Sequence, residues 1–132
     1  MMEMKRMLDY LVIALFAFVG GTARYWAGVW IPAVGGFPLG TLVINLLGCF
    51  IFSWIVKHIL SDLDVSGRLV LGLGVGFCGA LTTFSSFALD TMKLVQAGQI
   101  GLAFLYLVLS FVGGLVMTVL GEAIYHRRVE AR

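Results

Sequence analysis

Gly72-Leu-Gly-Val-Gly-Phe-Cys-Gly-Ala-Leu-Thr-Thr-Phe-Ser-Ser-Phe87 decides the fold of this chain. It sits in the middle of a segment that otherwise reads as membrane-spanning. Glycine weakens helix interiors, and serine and threonine hydroxyls compete for backbone hydrogen bonds. Irregular backbone at membrane depth is tolerated only where protein buries it or where it lines a wet cavity. The stretch therefore predicts a helix broken beside a polar path, which is a transport signature.

The rest of the sequence agrees with a membrane setting. Of its 132 residues, 61% are hydrophobic and 12% charged. A soluble domain this small has too much surface to hide that apolar fraction. The composition predicts an all-α integral membrane protein with a single domain over 1–132. The net charge is +2, and the basic residues sit at element ends, where anionic lipid attracts them. No basic-aromatic groove suggests a nucleic-acid partner. Cys49 and Cys78 lie in apolar runs outside any metal-ligand spacing and read as small buried hydrophobes. Lys5 and Arg6 before an apolar run imitate a secretory signal. The run continues through Tyr25 and Trp26 without a convincing cleavage site, so it reads as a first span.

Four transmembrane helices are predicted, roughly over 9–30, 39–60, 68–95 and 100–125. Each offers the ~20 residues that a bilayer core requires. Pro- and Gly-rich 31–38, Ser61–Gly67 and the short 97–100 are the loops, with Ser66 a candidate cap for the third helix. An even number of spans leaves both termini on one side, with Lys5, Arg6, Lys57, Arg68, Arg127, Arg128 and Arg132. Lys93 lies opposite, and Arg24 within a span. The positive-inside rule then places both termini in the cytoplasm of a cell whose plasma membrane holds the chain.

Polar groups inside the spans narrow the function. Arg24 lies about six residues, or ~9 Å, inside the far end of the first helix, and Asn45 a similar distance inside the second. The two can share a depth. Thr82, Thr83, Ser85 and Ser86 fall near the middle of the third helix, and Ser110 and Thr118 on the fourth. A cation at this depth is costly and marks function by default, the alternative being snorkelling to the headgroups. One cation, one amide and a row of hydroxyls are all donors and suit an anion. Asp9, Asp90 and Glu122 lie toward span ends. Four helices are few for enclosing a pore, which points to a dimer. Gly72-x-x-x-Gly76-x-x-x-Ala80 offers a close-packing face, for a second subunit or within one. Gly74-x-Gly76-x-x-Gly79 matches a dinucleotide fingerprint only formally, because no strand precedes it.

The chain resembles the small bacterial fluoride channels of the CrcB/Fluc family along nearly its whole length. Four blocks carry the likeness: Gly20–Tyr25, Gly40–Cys49, Gly76–Phe87 and, more weakly, Tyr106–Gly121. The resemblance implies an antiparallel, dual-topology dimer with two fluoride pores. It implies that Asn45 meets fluoride, and that Phe84 and Phe87 line the path with ring edges. It places Ser85, Ser86, Tyr106, Ser110 and Thr118 along the pathway and Arg24 in a vestibule. It also implies a structural sodium ion at the dimer interface, held by the main-chain carbonyls of Gly79 and Thr82. Three positions depart from the family pattern: Ala80 replaces a usual glycine, Asp90 a frequent glutamate, and Gly114 a serine of some members.

The expected function is passive, selective export of cytoplasmic fluoride, with no enzymatic activity. Two rivals are a small proton-coupled multidrug exporter and a non-conducting assembly subunit. The exporter needs a membrane-embedded carboxylate, and the first span has none after Asp9. A merely structural subunit gives no reason for Arg24, Asn45 and the Thr/Ser/Phe stretch to coexist. The charge bias fits poorly with a homodimer of opposed copies. It predicts either a bias too weak to matter or a paralogue of opposite topology as partner.

Overall fold

A computed structural model describes residues 1–62 and 65–131. Among them are four helical spans long and apolar enough to cross a membrane. Helix α1 runs Met2–Trp30 and α2 Leu39–Asp62. The third span comprises α3 (Gly67–Leu71), a π-helical segment (Gly72–Cys78), α4 (Gly79–Leu81) and α5 (Phe84–Gln96). Helix α6 runs Ile100–Glu130.

The spans fall where hydropathy puts them, but their ends do not. Helix α1 starts at Met2 rather than near residue 9, and α6 continues past 125 to Glu130. Both reach beyond the ~20 residues that cross a bilayer. Their extra turns carry Lys5 and Arg6 or Arg127 and Arg128, side chains that belong at headgroup depth. The loop expected over Ser61–Gly67 is shorter than predicted, since α2 includes Ser61 and Asp62, while 63 and 64 lie outside the described residues. Ser66 does stand at the N-cap of α3, yet its side chain makes no capping bond. Only its carbonyl accepts, from Leu69 N at 2.9 Å.

The third helix breaks where the sequence predicts. Thr82 (φ −83°, ψ 153°) and Thr83 (φ −150°, ψ 116°) are extended, so the helical ladder stops at Leu81 and restarts at Phe84. Thr83 caps the restart, its Oγ1 accepting from Ser86 N at 3.2 Å.

The two main packing pairs are α2 with α6 and α1 with the π-helical segment. Both depend on missing side chains. A Cβ on Gly76 would sit 2.7 Å from Ile13 O of α1, and one on Gly121 would sit 2.9 Å from Phe50 O of α2. Gly72 likewise abuts Val12 and Phe16. Of the two uses expected for the Gly72/Gly76 face, the one within the chain is found, against α1. Ser53 Oγ adds a 2.7 Å bond to Thr118 O across the α2–α6 crossing. At the N-terminal side, Arg68 Nε meets Asp9 Oδ1 at 2.6 Å and ties α3 to α1.

Few residues are buried. Among the described residues, one core cluster holds Leu42, Leu94, Ala103 and Tyr106, with Phe37, Leu46, Phe87 and Leu102 packed on it. Long rows of large apolar side chains on α1 and α6 face outward, as lipid requires.

Candidate functional site

The site grows out of the break at Thr82–Thr83. In a continuous helix, Thr83 N would bond Gly79 O and Ser86 N would bond Thr82 O. Both donors are diverted. Thr83 N donates to Asn45 Oδ1 at 2.9 Å, and Ser86 N goes to Thr83 Oγ1. Asn45 Nδ2 donates in return to Thr83 O at 3.3 Å. One amide side chain on α2 therefore holds both the N–H and the C=O of Thr83, at the interruption. The Gly79 and Thr82 carbonyls lose the helical donors that would have covered them.

Two cavities meet at Thr83. The first, about 380 Å³, is lined by Gly21, Arg24, Tyr25, Thr41, Thr83 and Ser86, among others. The second, about 360 Å³, is lined by Asn45, Cys49, Thr82, Thr83, Phe84, Phe87, Ser110 and Phe111. Arg24 and Asn45 thus line the two cavities that share Thr83. The second cavity contains no charged side chain. Ser110 Oγ is buried and makes no hydrogen bond within the protein. Phe84 and Phe87 lie 5.7 Å apart, tilted by 46°. The Phe84 ring is 80% exposed, so the single chain leaves that wall open.

A third cavity, about 280 Å³, is lined by Gly48, Cys49, Phe52, Gly74, Cys78, Gly79, Thr82 and Thr118. Gly79 and Thr82 share it. Carbonyl oxygens without carboxylates suit a hard monovalent cation, so these residues fit the donor chemistry of sodium. Ala80 is α-helical and does not interrupt the segment that presents them.

A family model described as CrcB-like protein, Camphor Resistance (CrcB), matches residues 11–122. The chain belongs to the CrcB family. It is 41% identical over 113 residues to "Fluoride-specific ion channel FluC 2" of Listeria innocua, covering 86% of this chain and 87% of that one. It is 49% identical over 105 residues to the FluC 2 of Streptococcus pneumoniae, covering 80% and 85%. A FluC 1 of Bacillus cereus is 37% identical over 118 residues, covering 88% and 86%. With four helices long and apolar enough to cross a membrane, this CrcB-family chain is a multi-pass membrane protein.

The remaining polar positions sort differently from the sequence expectation. Ser86 faces the Arg24 cavity rather than the Asn45 cavity. Ser85 is exposed, with its hydroxyl 3.2 Å from Thr83 Oγ1. Thr118 sits in the third cavity and turns its hydroxyl back to Gly114 O at 2.9 Å, so within one CrcB subunit it is apart from Ser110. Tyr106 is fully buried behind the second cavity, and its ring packs on Phe87 at 5.3 Å. Two residues were missed as a pair. Thr41 Oγ1 donates to Asp90 Oδ2 at 2.8 Å, across the α2–α5 contact. Both were visible as polar residues in apolar runs, but nothing in their spacing joins them.

Proposed function

We propose that this chain is a fluoride-selective channel that lets cytoplasmic fluoride leave the cell passively. The observation that carries the reading is the second cavity: an amide, a spare hydroxyl and two phenylalanine rings around a space with no carboxylate. The relatives that are 37–49% identical, named as fluoride-specific channels, supply the ion.

Fluoride is small and strongly hydrated, so a path must replace its water with several close donors. Asn45 Nδ2 carries two N–H groups, and Thr83 O takes one. The other is available to an anion, together with the Ser110 hydroxyl. Aromatic rings are positive at the edge, and Phe84 and Phe87 can present edges to a passing anion. Arg24, at the neighbouring cavity, raises local anion concentration before entry. Tyr106 acts from behind, through Phe87. Ser85, Ser86 and Thr118 flank the route rather than line its narrowest part.

Export needs no pump. Hydrogen fluoride enters acidified cells as a neutral molecule and ionises inside. A membrane potential, negative inside, then drives the anion out with about 2.3 kcal/mol per charge per 100 mV.

The working unit in this reading is an antiparallel dimer. The outward-facing Phe84 ring and the open wall beside it support a second subunit there. The freed carbonyls of Gly79 and Thr82 would hold a structural sodium ion between the subunits. That ion would fix the break without adding a carboxylate. The partner is either a second copy or a paralogue of opposite charge bias.

Purified chain reconstituted alone into liposomes, with valinomycin added and fluoride read by electrode, tests the reading. Rapid fluoride release with chloride retained is expected. Folded protein that releases no fluoride, alone or with a co-expressed inverted paralogue, would sink it.

A further inference from the structure

The pathway rings belong to a longer row. Phe84 packs on Phe87, Phe87 on Tyr106 at 5.3 Å, and Tyr106 on Phe37 at 5.6 Å. The last contact is edge-to-face, with planes 85° apart. Phe37 is no part of any span. It belongs to the α1–α2 loop, where Val34-Gly35-Gly36-Phe37 closes a two-residue hairpin. Val34 N donates to Phe37 O at 3.1 Å and Phe37 N to Val34 O at 2.9 Å. Gly35 (φ +60°) and Gly36 (φ +87°) take the left-handed conformations that such a turn demands.

The hairpin is anchored from the opposite side. Gln99, in the α5–α6 turn, reaches Gly35 O with Nε2 at 3.4 Å. Its Oε1 fills the space where a Cβ on Gly36 would lie, 2.8 Å away. Phe37 is thus held from both its own turn and the facing one, and its ring closes the core over Tyr106. Tyr106 itself is fully buried, and its hydroxyl makes no hydrogen bond. The hydroxyl lies in the neighbourhood of Thr41 and Asp90, and the ring plane is set chiefly by its packing on Phe37 and Phe87.

We propose that Phe37 is a positioning residue for ion passage: through Tyr106, the loop hairpin sets the tilt of Phe87 beside the Asn45 cavity. The functional half of this inference rests on the fluoride-channel reading; the positional half does not.

The test uses Phe37→Leu, which keeps apolar bulk and removes the ring, and Phe37→Tyr, which restores it. Flux is normalised to folded protein. Phe37→Leu is expected to slow fluoride efflux about tenfold and to lower fluoride-over-chloride selectivity, with Phe37→Tyr close to the parent. A residue that merely stabilised the fold would lower yield and melting temperature but leave flux per folded protein and selectivity unchanged. That result overturns the proposal.

A second readout does not depend on conduction. In protein labelled with 3-fluorotyrosine, the Tyr106 fluorine resonance, assigned with Tyr106→Phe, is expected to shift and narrow in Phe37→Leu. An unmoved resonance overturns the proposal even if flux falls. If the parent protein conducts nothing, alone or with a co-expressed inverted paralogue, yet the resonance moves, the positional half stands and the channel reading is what fails.

Discussion

Asn45 bears most of the argument, and its two roles do not compete. A primary amide offers two N–H donors and two acceptor lone pairs. Thr83 uses one N–H and one lone pair, and the rest remain. Asn45→Leu should therefore do two kinds of harm. It leaves a partly buried Thr83 N–H without a partner, at about 1–3 kcal/mol, visible as a lower melting temperature in detergent. It also removes the spare donor, so flux per folded protein should fall more than tenfold. Asn45→Asp keeps the acceptor for Thr83 N and should melt closer to the parent, while its charge blocks the anion. Equal melting temperatures for the Leu and parent proteins would contradict the bridging role. The sequence already showed that an amide lay at this depth. It could not show the partner, because Thr83 is 38 positions away and only the fold brings them together.

At the scale of elements, hydropathy located four spans and composition located the break. The π-helical stretch Gly72–Cys78 was not legible, since a widened turn leaves no mark on an all-apolar, glycine-rich pattern. The Gly72/Gly76 face was legible as a close-packing face, but spacing cannot name the partner, and α1 takes it. Gly76→Val should force α1 away from this stretch, because the obstructing atom is backbone Ile13 O. Overpacking of this kind costs roughly 1–3 kcal/mol, to be read as lost thermal stability. Thr83→Ala tests the restart of the helix. Losing the cap of α5 should cost about 1 kcal/mol, and Thr83→Ser should recover most of it.

For the whole molecule, the outward-facing apolar rows explain why hydrophobicity alone placed the chain in a bilayer and said nothing about its partner. The charge asymmetry bears on insertion. Tagging both ends in cells should reveal one fixed orientation if an inverted paralogue completes the channel, and equal populations if one copy pairs with another. Asp9, the only acid of the first predicted span, is held by Arg68 at the N-terminal side. Asp9→Asn should leave fluoride efflux essentially unchanged, whereas a proton-coupled exporter relying on that acid would be silenced. The interruption at Thr82–Thr83 also has an electrical meaning. Peptide dipoles add along a helix to about half a positive charge at its start and half a negative charge at its end. A span cut in this way leaves only two residues between the negative pole that closes at Leu81 and the positive pole that opens at Phe84. The protein thereby presents both signs of potential in the hydrocarbon layer from neutral backbone. Neither an anion nor a cation there would need an ionised side chain that shifts with pH.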